Sequence, residues 1–99
     1  MAFWALLGFR QVDAPPTLRE RATWLQAGDR QIHLLYAEDP VVPPQGHSAV
    51  IVEEFHATLR RLREAGIEAE ERARHWGAPR LLATSPAGHR VEVMAFPPE

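Results

Sequence analysis

The chain of 99 residues has no cysteine, so disulfide staples and thiolate zinc sites are both excluded. A bound metal would have to be held by nitrogen and oxygen donors, which leaves His, Asp and Glu. Lysine is absent too: all 11 basic residues are Arg. They are scattered, with Arg60, Arg61 and Arg63 the densest cluster, and at a net charge of -2 the chain lacks the basic stripe of a nucleic-acid footprint. Nucleic acid is therefore not an expected partner. No apolar run approaches the roughly 20 residues of a membrane span. The opening "MAFWALLGF" lacks the basic start and cleavage pattern of a secretory peptide. The expectation is a cytoplasmic protein with no membrane contact.

What is present suits one small domain over residues 1–99, since 45% of the residues are apolar. One stretch, "AVIVEEFHATLRRLREAGIEAEE", holds a convincing long helix. Phe55, Leu59 and Leu62 recur at i, i+4 and i+7, and Arg60, Arg61, Arg63 and Glu64 fill the other face. Gly66 stops it. Around it lie strand candidates: "FRQVD", "ATWLQAG", "RQIHLLYA", "HSAVIVE", "GIEAEERA", "RLLATS" and "RVEVMAF". The fold class expected is α+β.

The two halves of the chain repeat each other. "WALLGFRQVD" resembles "LREAGIEAEE", each a helical stretch ending in Gly before a strand, and "RQIHLLYAEDP" resembles "HRVEVMAFPPE", each a strand followed by proline. His33 thereby falls where Glu92 falls in the second unit. That second unit, 47–99, reads strand, helix, strand, strand, strand. The first unit, 1–40, lacks the opening strand and most of its helix, of which "MAFWALL" is the last turn or two. Residues 41–46, "VVPPQG", read as the linker.

His33 raises a question, because an imidazole set into the aliphatic run "QIHLLY" costs roughly 1–3 kcal/mol if it is buried without a partner. Strand alternation gives an answer. His33 shares a face with Gln31 and Leu35, His47 with Ala49 and Ile51, and Glu92 with Arg90 and Met94. The aliphatic neighbours of each point the other way, under a helix. On one curved sheet, His33, His47 and Glu92 would share a face as a 2-His-1-carboxylate set for a divalent first-row metal. Against this, each has a plainer reading: His33 as a satisfied or partly solvated strand residue, His47 as a strand-edge histidine bonded to backbone, Glu92 as an exposed strand carboxylate. His56, His75 and His89 read as surface residues.

Three segments carry a family resemblance. "AFWALLGFRQV", "GHSAVIVEEFHATLRRLREAGIEA" and "TSPAGHRVEVM" resemble the vicinal oxygen chelate superfamily, which contains glyoxalase I, extradiol dioxygenases and bleomycin-resistance proteins. Trp4 stands where tyrosine is common, and Ser85 replaces the aspartate of the family's closing turn. The resemblance implies paired βαβββ modules forming a curved, mostly antiparallel sheet. It also implies that His33, His47 and Glu92 match metal-ligand positions, with a divalent ion (Fe, Mn, Ni or Zn) as cofactor. The activity implied is lyase, isomerase or dioxygenase chemistry on a small substrate with vicinal oxygens, with Glu92 as a ligand that could also move a proton. The absent first strand carries a further ligand position in relatives, so at most three of the four remain here. Trp24, Tyr36 and Trp76 are candidate pocket walls. The competing expectation is a metal-free ligand-binding homodimer of the bleomycin-resistance type, and a third is a truncated remnant.

Overall fold

The computed structural model describes residues 2–43 and 45–98; Pro44 of the expected linker, with Met1 and Glu99, lies outside the described residues. The element order is α1 (Ala2–Leu6), β1 (Arg10–Val12), β2 (Ala22–Ala27), β3 (Arg30–Leu35), β4 (Ser48–Ile51), α2 (Phe55–Glu64), β5 (Ala69–Glu71), β6 (Arg80–Thr84) and β7 (Arg90–Met94). The chain divides into two compact units, Met1–Val41 and Val42–Glu99. The class is α+β, with a three-stranded antiparallel sheet in the first unit and a four-stranded sheet in the second.

The repeat read from the sequence is written in the backbone hydrogen bonds. In the first unit Gly8 N–H donates to Ala5 O and Phe9 N–H to Trp4 O, both at 3.0 Å. In the second, Gly66 N–H donates to Arg63 O at 3.0 Å and Ile67 N–H to Leu62 O at 2.9 Å, with the same offsets. This is the Schellman closure of a helix, and it needs a left-handed residue. Gly8 at φ 93° and Gly66 at φ 77° supply it.

In the first unit, β1, β2 and β3 lie in sequence order, with Trp24 opposite His33 and Leu25 opposite Ile32. The β2–β3 hairpin turns through Gly28 and Asp29, with Gly28 at φ 60°, as a two-residue turn with glycine first requires. Leu25 is 1% exposed and is buried with Phe3, Trp4, Leu7, Phe9, Ala14 and Ala22, Trp4 meeting Phe3 and Phe9 edge to face.

In the second unit the sheet order is β4-β7-β6-β5, and β4 runs parallel to β7. The long connection that such a parallel pair needs runs through helix α2 and then β5 and β6. Its Phe55, Leu59 and Leu62 are buried as the periodicity predicts, and Thr58 joins them, while Arg60, Arg61, Arg63 and Glu64 face solvent. Leu62, Leu81, Ala83, Val91 and Val93 are all 0% exposed. They form one row of alternate side chains on β6 and β7 together with the apolar stripe of the helix. At the β6–β7 turn Ser85 does the work of the expected aspartate: its Oγ accepts from His89 N–H at 3.0 Å, and its carbonyl accepts from Gly88 N–H at 2.8 Å.

Candidate functional site

The face of β6 and β7 opposite the buried row carries Arg80, Leu82, Arg90, Glu92 and Met94, by the register that sets Leu82 opposite Glu92. β4 extends this face, because Ala49 pairs with Glu92 and His47 lies two residues before Ala49. The result is that His47 Nε2 comes to 3.1 Å from Glu92 Oε1. The other carboxylate oxygen, Oε2, accepts from Arg80 Nη1 at 3.2 Å. Side-chain exposure falls from 38% for His47 to 12% for Glu92, so the carboxylate sits at the floor and the imidazole at the rim.

The second nitrogen of His47 is also committed. Nδ1 lies 3.0 Å from Gln45 O, and a carbonyl oxygen only accepts, so Nδ1 carries the proton. That leaves Nε2 as the atom facing the carboxylate. Protonated there, the ring is an imidazolium with an acceptor on each side. The hydrogen bond to Gln45 O, the hydrogen bond to Glu92 and the carboxylate's charge raise the His47 pKa above 6.5, against burial and the charge of Arg90. Unprotonated there, the lone pair and Oε1 are two donors. Both point at the same space, so one ion could be offered a nitrogen and an oxygen together. An Nδ1–H held by a backbone carbonyl is also the usual orienting contact of a ligating histidine. Among the described residues no three His, Asp or Glu side chains gather into a metal-holding group. The pair present is His47 with Glu92.

His33 belongs to the first unit. It is exposed, so the partner demanded of a buried imidazole is not required of it. Its ring stacks on Trp24, 3.7 Å between centroids at 7°. Its Nε2 meets Gln31 Oε1 at 3.0 Å; Gln31 Nε2 donates to Gln26 Oε1 at 2.9 Å, and Gln26 Nε2 to Gly28 O at 2.9 Å. Read from the carbonyl end, this chain makes His33 Nε2 a donor and leaves Nδ1 as its free lone pair.

The expected aromatic walls fall in different places. Trp24 and Tyr36 both line a first-unit cavity of about 220 Å³ that also takes in Asp13, Arg19 and Thr23. Tyr36 is 61% exposed overall, but its hydroxyl is hydrogen-bonded to that of Thr23. Trp76 lies in the second unit, with the Arg80 guanidinium 5.8 Å from its ring centre. His56 and His75 are exposed as expected, whereas His89 is half-buried in the β6–β7 turn.

Arg80, Gln45 and the Gln26–Gln31 pair are participants that the sequence reading missed. Arg80 was within reach of it: with Leu81 and Ala83 facing inward, alternation puts Arg80 and Leu82 on the face of Glu92.

The comparisons with known proteins agree with this architecture. A crystal structure of a glyoxalase family protein from Bacillus anthracis superposes with a TM-score of 0.82 at 24% identity, over 93% of this chain and 76% of that one. The bleomycin resistance determinant encoded on transposon Tn5 gives 0.69 at 17%, over 94% and 82%. The lactoylglutathione lyase of Agrobacterium tumefaciens gives 0.67 at 20%, over 94% and 80%. At these identities the likeness is one of fold. No curated protein matches the chain. The family model of the Glyoxalase/Bleomycin resistance protein/Dioxygenase superfamily matches residues 1–93, and the chain belongs to that superfamily.

Proposed function

We propose that the protein binds a divalent metal ion through His47 and Glu92 and takes a small substrate with vicinal oxygens beside it, for lyase, isomerase or dioxygenase chemistry. The observation that carries this reading is the 3.1 Å approach of His47 Nε2 to Glu92 Oε1, with Nδ1 tied to Gln45 O. A bound ion would supply Lewis-acid stabilisation of negative charge on a substrate oxygen. The residues do the rest. Gln45 O holds the imidazole in one tautomer, Arg80 holds one oxygen of Glu92, and Oε1, when it leaves the ion, is the basic atom at which a substrate proton could be held. His33 is carried as a further candidate ligand through Nδ1, and the active form is read as a cytoplasmic homodimer.

Metal content tests the reading. Protein purified without chelators should hold close to one Fe, Mn, Ni or Zn per chain, and His47→Ala should lose it while His56→Ala does not. Metal-free protein that gains no thermal stability from any of these ions, with His47→Ala indistinguishable from the parent, overturns it. Calorimetry on His33→Ala decides that residue separately.

A second reading rests on a different observation, the Trp24–His33 stack. A planar ring pair beside the 220 Å³ cavity suits an aromatic ligand held without metal. Ligand affinity that falls in Trp24→Ala and ignores His47→Ala would favour it.

A further inference from the structure

Arg80 is tied on three sides. Its Nε donates to Ala73 O at 2.6 Å, its Nη1 donates to Glu92 Oε2 at 3.2 Å, and its guanidinium carbon stands 5.8 Å from the centre of the Trp76 ring. Trp76 in turn donates Nε1–H to Phe96 O at 2.8 Å, just beyond β7. The Arg80 side chain is 17% exposed. It therefore joins the segment 72–79 between β5 and β6 to the carboxylate on β7.

This matters because a glutamate carboxylate turns easily about its last torsion, and a contact from His47 alone fixes only one oxygen. A guanidinium anchored by its own Nε to a backbone carbonyl cannot follow that rotation. It fixes Oε2, and because the carboxylate is planar it thereby fixes the direction of Oε1.

We propose that Arg80 is the positioning residue of this site. By holding Oε2 it aims Oε1 of Glu92 at His47, and through the same guanidinium it keeps segment 72–79, with Trp76, against that carboxylate. The proposal rests on the His47–Glu92 pair being the functional centre. Lysine cannot substitute, since one ammonium lacks the fork that meets the Ala73 carbonyl and the carboxylate together.

Electrostatics separates this role from that of an inert neighbouring cation. A cation beside a metal ligand repels a bound cation, so removing an inert one would strengthen metal binding. Removing a group that orients a ligand weakens it, typically by about 10- to 100-fold.

The test uses the full chain with Arg80→Gln and Arg80→Lys. Protein labelled with 5-fluorotryptophan gives three fluorine signals, and Trp76→Phe identifies the one from Trp76. Arg80→Gln should move the Trp76 signal to an exposed position and leave those of Trp4 and Trp24 in place, while an unchanged helical circular dichroism signal, which comes mainly from α2 of the same unit, shows that the variant folds. Zn2+ titrated calorimetrically should bind at least about 10-fold more weakly to Arg80→Gln, and Arg80→Lys should restore neither property in full. An unmoved Trp76 signal overturns the proposal, as does Zn2+ affinity that is unchanged or higher. Parent protein that takes up no Zn2+ overturns the metal reading instead. Arg80 is then judged by the fluorine signal and by a crystal structure of Arg80→Gln, in which an undisturbed His47–Glu92 contact would sink the positioning role.

Discussion

His47 and Glu92 are 45 positions apart in the chain, and their side chains meet at 3.1 Å between Nε2 and Oε1. The parallel pairing of β4 with β7 creates this contact, since Ala49 stands beside Glu92 and His47 precedes it on the same face. On the proposed reading one atom of the ring, Nε2, takes either a proton or a metal ion, and pH should then decide between them.

His47 has a pKa raised above 6.5, chiefly by the Gln45 carbonyl and by Glu92. A raised folded-state pKa stabilises the fold fully below the unfolded value of about 6.5, and the contribution is lost as pH rises through the folded value. Metal-free protein should therefore lose some thermal stability as pH rises out of the acidic range. His47→Gln should remove that slope. Thermal melts in chelator across this range read it directly, and an identical slope in the variant would refute the assignment.

Metal binding should run the other way, because a proton on Nε2 must leave first. Zn2+ affinity should rise with pH through the His47 transition, with proton release visible as a dependence of the binding heat on buffer ionisation. Glu92→Gln keeps the shape of the side chain and removes its charge, so it should weaken binding at every pH while leaving the helical signal of circular dichroism unchanged.

Leu62 is 0% exposed at the C-terminal end of the buried α2 stripe. Leu62→Ala should cost about 2–5 kcal/mol through lost burial and the cavity left behind. For a domain this small, each kcal/mol lowers Tm by about 4–8 °C. Arg60→Ala, on the solvent face of the same helix, should change Tm little. Equal losses in the two would contradict the orientation of the helix.

Gly66 has open space around its Cα, so the cost of a side chain there is conformational alone. At φ 77° Gly66→Ala should destabilise by about 1 kcal/mol, whereas Gly66→Asn should cost less because Asn tolerates the left-handed region. Denaturant unfolding of the two variants measures the difference.

How much of this could be read beforehand differs between elements. Helix α2 was legible because burial of one stripe imposes a period on the sequence, and Phe55, Leu59 and Leu62 display it. The repeat was legible because the left-handed turn after a helix asks for glycine at both Gly8 and Gly66. The surroundings of His33 were not legible. A strand bordered by leucines reads as interior, yet the His33 ring is exposed and lies flat on Trp24 across the hairpin. Cross-strand neighbours depend on register, which no local pattern states.

By itself, then, the sequence determined the class of fold, the two-unit repeat, and the helix with its core face, because those follow from local periodicity and from backbone conformations only glycine adopts freely; the family was legible as a resemblance carried by three segments. Tertiary structure alone decided that Glu92 has two partners, His47 and Arg80, and that Gln45 selects the tautomer of the imidazole. Those contacts join β6, β7 and the segment before β4, and strand register sets them. Hydrogen bonds are directional and act over about 3 Å, so they exist only once the sheet has brought distant residues into line.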